Sequence, residues 1–183
     1  MNISKQEAQE SLAEIDMAIS QTKTAVGRSG GYITMMWGVI WFIFLSVTQF
    51  RPDLAGWVLL ALYTIGIAGT RIITMQSKSK ISIPGAGRIW LAWGILFGYL
   101  LLWGQLLHPS GNAGLAFAAT LAMCGWVIMG LWLSRVMLWV GLIVTVLTVA
   151  GFYLLPAWFA LWLGITAGGG IFLAGLSFCK SCK

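Results

Sequence analysis

Few residues in this chain could do chemistry, and their spacing limits what that chemistry would be. Cys179-Lys180-Ser181-Cys182 places two thiols at the interval used to chelate zinc or to form a redox pair. A structural zinc site needs four ligands, and the only histidine, His108, falls in a joint on the other side of the membrane as the topology is read below. Two chains would have to contribute two cysteines each; the alternatives are S-acylation beside a membrane or no role at all. No metal or cofactor is therefore expected. His108 has a side chain able to change charge between mildly acidic and neutral pH. With Asp53 it forms a candidate polar cluster, near Gln49, Arg51, Gln105 and Asn112 in neighbouring joints, although a lone loop histidine is often only solvated. No Ser-His-acid grouping, carboxylate pair or phosphate-binding glycine loop can be assembled, because Asp53 is the single carboxylate after Asp16. The chain is not expected to be an enzyme.

These residues sit among elements built for lipid. The chain has 183 residues, 59% hydrophobic and 9% charged, against roughly 25% charged in an ordinary soluble domain. Apolar stretches about as long as a bilayer is thick, roughly 20 residues each, recur near residues 32–50, 54–71, 89–107, 113–133, 136–155 and 157–178. Backbone groups in hydrocarbon must be satisfied internally, and these runs lack the alternation of barrel strands, so the expected fold is all-α with six transmembrane helices. Three regions follow: a cytoplasmic helix and linker over residues 1–30, a six-helix membrane domain over 31–178 and a short tail over 179–183.

Orientation is read from the basic residues, which favour the cytoplasmic side of short loops. Lys5, Lys23, Arg28, Arg71, Lys78, Lys80, Arg88, Arg135, Lys180 and Lys183 all fall on one side of a six-span arrangement, and Arg51 alone on the other. Both termini are thus expected in the cytoplasm, with the chain in a plasma (inner) membrane. The net charge of +6 is explained by this collar beside anionic lipid and gives no reason to expect nucleic acid. No cleavable signal peptide is expected, since the first apolar run follows about thirty polar residues.

The spans read as three versions of one helical hairpin. Trp37-Gly38, Trp93-Gly94 and Val140-Gly141 open the odd spans, and Pro52, Pro109 and Pro156 follow those glycines by 14, 15 and 15 positions. Even spans close in Gly66-Ile67-Ala68-Gly69-Thr70-Arg71, Gly130-Leu131-Trp132-Leu133-Ser134-Arg135 and Gly175-Leu176-Ser177-Phe178-Cys179-Lys180. Proline stops one helix and permits the reversal, while the terminal cation anchors each hairpin at the headgroups. Small residues at helical spacing, Gly114, Ala118 and Ala122 in the fourth span and Ala160, Gly164 and Gly168 in the sixth, are the candidates for close helix packing. That packing either stays inside the bundle or, at Gly168-Gly169-Gly170, forms a seam between two chains. Many of the eleven tryptophans lie near span ends, as interfacial anchors do.

Three tandem hairpins with these glycines and prolines resemble the small bacterial membrane proteins of the HdeD acid-resistance type, over about residues 32–180. The resemblance implies a six-helix inner-membrane protein linked to stress tolerance, and no catalytic residue.

Ahead of the first span, Ser4-Lys5-Gln6-Glu7 fits a capping box and predicts a helix from about residue 5. Ala8, Leu12, Ile15, Ile19 and Val26 give it a narrow apolar stripe with heptad rhythm. Residues 1–28 hold four acids and three bases, unlike the Lys- and Arg-rich helices that lie on anionic lipid. The stripe is therefore expected to dock a sister chain or another protein, or to fold back on the chain's own loops, with Arg28-Ser29-Gly30-Gly31 as a flexible joint. The expected function is a non-enzymatic membrane interaction protein, either a stress-related factor or an accessory subunit. The alternative is a passive channel or transporter for a neutral small solute, since the spans carry only scattered hydroxyls and no ionisable residue at mid-membrane.

Overall fold

The computed structural model describes residues 5–76, 86–109, 111–132 and 134–180, with side chains described for all of these except 5–26 and 86–90. Among the described residues every regular element is helical. The helices are α1 (Lys5–Phe50), α2 (Ala55–Gln76), α3 (Ala86–Leu107), α4 (Gly111–Trp132), α5 (Arg135–Leu154), α6 (Phe159–Leu163) and α7 (Gly169–Lys180). A single π-helical turn, Gly164–Gly168, joins α6 to α7, so the last two form one rod. Gly27–Phe50, Pro52–Gln76, Gly111–Trp132, Arg135–Leu154 and Pro156–Lys180 are each long and apolar enough to cross a membrane. Leu91–Leu107 is a shorter apolar stretch of α3.

Local chemistry sets the helix ends. Pro52 and Pro156 each open a 3-10 turn at a position where no amide hydrogen is needed, and these turns reverse the chain into α2 and α6. Ser134 caps α5 by accepting from the amide of Val136 at 3.3 Å. After α3 the chain turns at His108, whose φ of 42° lies in the left-handed region and whose amide donates to the Gly104 carbonyl at 3.1 Å. That is the geometry in which helices commonly end, with a residue other than glycine in the glycine position.

The main difference from the sequence reading is at residues 28–31. A flexible joint was expected there, but the backbone stays α-helical through Gly30 and Gly31, and α1 runs unbroken for 46 residues. A helix interior tolerates glycine at a cost of about 1 kcal/mol, and at Gly31 the close approach of α7 gives glycine a packing reason to be present. The helix is described from Lys5 onward, and Ser4, the capping residue of the expected box, lies outside the described residues.

The buried core sits between α1, α4, α5 and the α6–α7 rod. Leu45, Met123, Phe159 and Leu163 are among its fully buried side chains, joined by Trp126, Val144 and Ile171. Among the described residues neither α2 nor α3 contributes to the buried cluster, though Trp93 of α3 leans on it. In α2 only Gly66 and Thr70 are buried. The bundle is thus a tight four-rod centre with two peripheral helices.

Candidate functional site

Two glycine-lined seams hold the centre together. Along α1 and α7, a methyl group added at Gly38 would lie 2.7 Å from both the Gly168 carbonyl oxygen and the Phe172 amide nitrogen. One added at Gly175 would lie 2.6 Å from the Gly31 carbonyl oxygen and 2.7 Å from the Met35 amide nitrogen. Along α4 and α5, a methyl at Gly141 would lie 3.0 Å from the Met123 carbonyl oxygen and 3.1 Å from the Val127 amide nitrogen, and one at Gly130 would overlap the Leu138 backbone. The two seams share one register. In each, the glycine of the odd span meets backbone seven and three residues before the glycine of the even span, and the return contact reaches the residue three before the odd glycine. Only glycine allows helix backbones to approach this closely.

The small residues singled out from the sequence fall in three places. Ala160, Gly164 and Gly168 are buried, the latter two against Leu45, Phe42 and Gly38 of α1. Gly169 faces open space, whereas Gly170 meets Val144 of α5. In α4, Ala122 is buried, Ala118 is half-buried, and Gly114 faces the Pro109 carbonyl of its own turn. The buried stripe of α4 instead follows Ala119, Ala122, Met123, Trp126 and Gly130. Extrapolating small residues at strict intervals of four drifts off this face, because a helix turns in 3.6 residues.

On the side where the prolines lie, two amides clamp one turn. Gln49 Nε2 donates to the Ala157 carbonyl at 2.8 Å, and its Oε1 accepts from the Leu161 amide at 3.3 Å. Asn112 Nδ2 donates to the Pro156 carbonyl at 2.6 Å. The turn between α5 and α6 is therefore held from α1 and from α4, while Gln105 remains exposed.

In the candidate polar cluster, Asp53 is engaged by its near neighbour in sequence. Arg51 binds Asp53 through two bonds, Nε to Oδ1 at 3.1 Å and Nη2 to Oδ2 at 3.0 Å. Among the described residues no hydrogen bond or ion pair joins Asp53 to His108. Nor does any group of three or more His, Cys, Asp or Glu come together among them. Cys179 donates weakly to the Arg28 carbonyl at 3.7 Å, and Cys182 lies outside the described residues. The side chains of Ala8, Leu12, Ile15, Ile19 and Val26 also lie outside them, although their backbone is helical.

Most threonine hydroxyls of the spans bond within their own helix. Thr64, Thr120, Thr145, Thr148 and Thr166 each donate to the carbonyl four residues earlier. Thr70 does so too and also accepts from Trp37 Nε1 at 3.1 Å, which ties α2 to α1. The sequence marked Trp37 as a repeat anchor but carried no signal for this bond. Between α3 and α4 lies an apolar groove of about 390 Å³, lined by residues including Leu96, Tyr99, Trp103, Phe117 and Leu121. No known protein family, curated protein or solved structure matches the chain.

Proposed function

We propose that this chain is a non-enzymatic interaction protein of the inner membrane. In this reading it has six spans arranged as three hairpins, with both termini cytoplasmic. It acts as a stress-related factor of the HdeD kind or as an accessory subunit in a larger membrane assembly. The observation that carries the reading is the unbroken α1. Residues 5–26 continue the first span as one helix, extending about 33 Å beyond it at 1.5 Å per residue. An unbroken helix with an apolar stripe and mixed charge, continuing out of a membrane span, has the form of a docking arm for a sister chain or another protein. The filled centre of the bundle, with Leu45, Met123, Phe159 and Leu163 fully buried, favours this reading over a passive solute path.

The test is the mass of the detergent-solubilised assembly formed by the full chain, compared with that of a variant carrying Leu12→Ala, Ile15→Ala and Ile19→Ala. Alanine keeps helix propensity, so a change reports the missing apolar contact. The variant is expected to lose the partner or sister chain while still inserting. An unchanged assembly would remove the docking arm from the proposal. Liposomes containing the purified chain are expected to show no added permeability to neutral solutes.

A further inference from the structure

The register shared by the two closed seams specifies a third. Gly94 of α3 and Gly66 of α2 occupy the places that Gly38 and Gly175, or Gly141 and Gly130, occupy in those seams. By that register Gly94 belongs on α2 backbone at Leu59 and Tyr63, seven and three residues before Gly66. Gly66 in turn belongs against Leu91, three before Gly94. Neither contact is made here. A methyl added at Gly94, or at Gly98 one turn on, meets nothing within 4 Å. α2 and α3 touch through a T-shaped contact of Tyr63 with Phe97, with ring centroids 6.5 Å apart, and do not pack along their length.

The seat on Gly66 is taken by Ile40 and Trp37 of α1. Ile40 Cδ1 and the Trp37 ring lie 2.9 and 3.0 Å from where a Gly66 methyl would stand, and the ring is held by Thr70 and by a T-shaped contact with Tyr63 at 5.2 Å. The corresponding side chains of the other hairpins rest elsewhere. Trp93, with Leu96, lies over Gly125 and Val140, with Val144, over Gly170, each five residues before the even-span glycine, which leaves Gly130 and Gly175 free to take backbone. In α2 the residue five before Gly66 is Ala61. Its methyl denies Trp37 the bare backbone that the other two side chains use.

We propose that α2 and α3 form a lateral gate, open in this structure, which closes when α2 turns so that Trp37 moves from Gly66 to Ala61 and Gly94 seats on Leu59 and Tyr63. Five residues at 100° each correspond to a turn of about 140° about the helix axis. Such a turn gives up the bond from Trp37 Nε1 to Thr70, while the hydroxyls of Thr64 and Thr70 stay bonded to carbonyls of α2 itself. From Ala55 to Gly69 only Trp57, Tyr63 and Thr64 carry a polar side-chain atom, and Arg71, Thr74 and Gln76 lie beyond, toward the end of the helix. The inference rests on seam geometry and is independent of the docking arm.

Cysteine pairs decide it. In the α1/α7 seam, a methyl at Gly168 would lie 3.0 Å from Phe42 Cβ; the matching pair in the proposed seam is Leu59 with Gly98. Leu59→Cys with Gly98→Cys, in a chain also carrying Cys124→Ala, Cys179→Ala and Cys182→Ala, is oxidised in native membranes. A disulfide requires β-carbons about 4 Å apart. The expected result is a reducible cross-link at monomer mass, absent from Trp57→Cys with Gly98→Cys, which places the thiol on another face of α2. Ala61→Gly is expected to speed the cross-link. Gly94→Leu, harmless to the open form because nothing adjoins it, is expected to abolish it. Ala55→Cys with Leu102→Cys, one turn further along both helices, gives the same reading should the first pair fail to accumulate. The gate is overturned if these pairs stay reduced while the matching pair of the α4/α5 seam, Met123→Cys with Thr145→Cys, cross-links. A product of twice the monomer mass would assign the Gly94 face to a second copy and also overturn it, as would a cross-link that survives Gly94→Leu.

Discussion

Gln49 reaches from the end of α1 to Ala157, 108 residues later, and holds the turn into α6 with both ends of its amide. A local turn between α5 and α6 is thereby fixed by the first span of the chain. Removing both bonds with Gln49→Ala is expected to cost about 1 to 3 kcal/mol, at a net 0.5 to 1.5 kcal/mol per bond. Thermal unfolding in detergent checks this. Gln49→Glu keeps the acceptor but loses the donor, and should fall between the two.

Gly38 and Gly94 hold corresponding places in their hairpins and should respond oppositely to the same change. Gly38→Ala drives a methyl into the Gly168 and Phe172 backbone, and overpacking of this kind costs about 1 to 3 kcal/mol. Gly94→Ala enters open space and gains helix propensity of about 1 kcal/mol. Urea or thermal midpoints for the two variants should move in opposite directions. Equal loss in both would contradict the peripheral placement of α3.

A third expectation concerns the unbroken α1. Gly30 faces open space, so Gly30→Ala should stabilise the helix without a clash. Gly31→Ala would set a methyl 2.8 Å from the Gly175 carbonyl oxygen and should destabilise the bundle. Were residues 28–31 a loose joint, neither change would register in a melting curve, and hydrogen exchange at these amides would be fast.

His108 holds a left-handed backbone conformation that costs a side-chain-bearing residue about 1 to 2 kcal/mol. His108→Gly is therefore expected to raise the melting temperature, and His108→Ala to leave it unchanged or lower it. A function that required the imidazole would be lost in both variants, which separates a capping role from a chemical one.

Much of the fold was legible in composition. Long apolar runs identify membrane helices because lipid permits nothing else, and prolines mark reversals because they cannot continue a helix. The turns at Pro52 and Pro156 lie where the sequence placed them. Less could be read of the joint at Gly30-Gly31, because the sequence gives no sign that α7 lies alongside and requires a glycine there. The same holds for Asp53: Arg51, two residues away, was in view, but only coordinates show that it takes both carboxylate oxygens. The scattered hydroxyls of the spans serve their own helices for a local reason. A hydroxyl on a helix finds the carbonyl one turn back before it finds a neighbour, and the Trp37–Thr70 bond shows that a ring nitrogen must come to it.

With no hinge between its polar and apolar portions, α1 can transmit orientation but not conformation. A tilt of 5° about the point where it enters the bundle would swing its first residues sideways by about 3 Å, taking the 22 residues of 5–26 at 1.5 Å each. Whatever grips that distant end would exert leverage on the Gly38 seam, and a small rearrangement among the buried helices would arrive there magnified as a displacement.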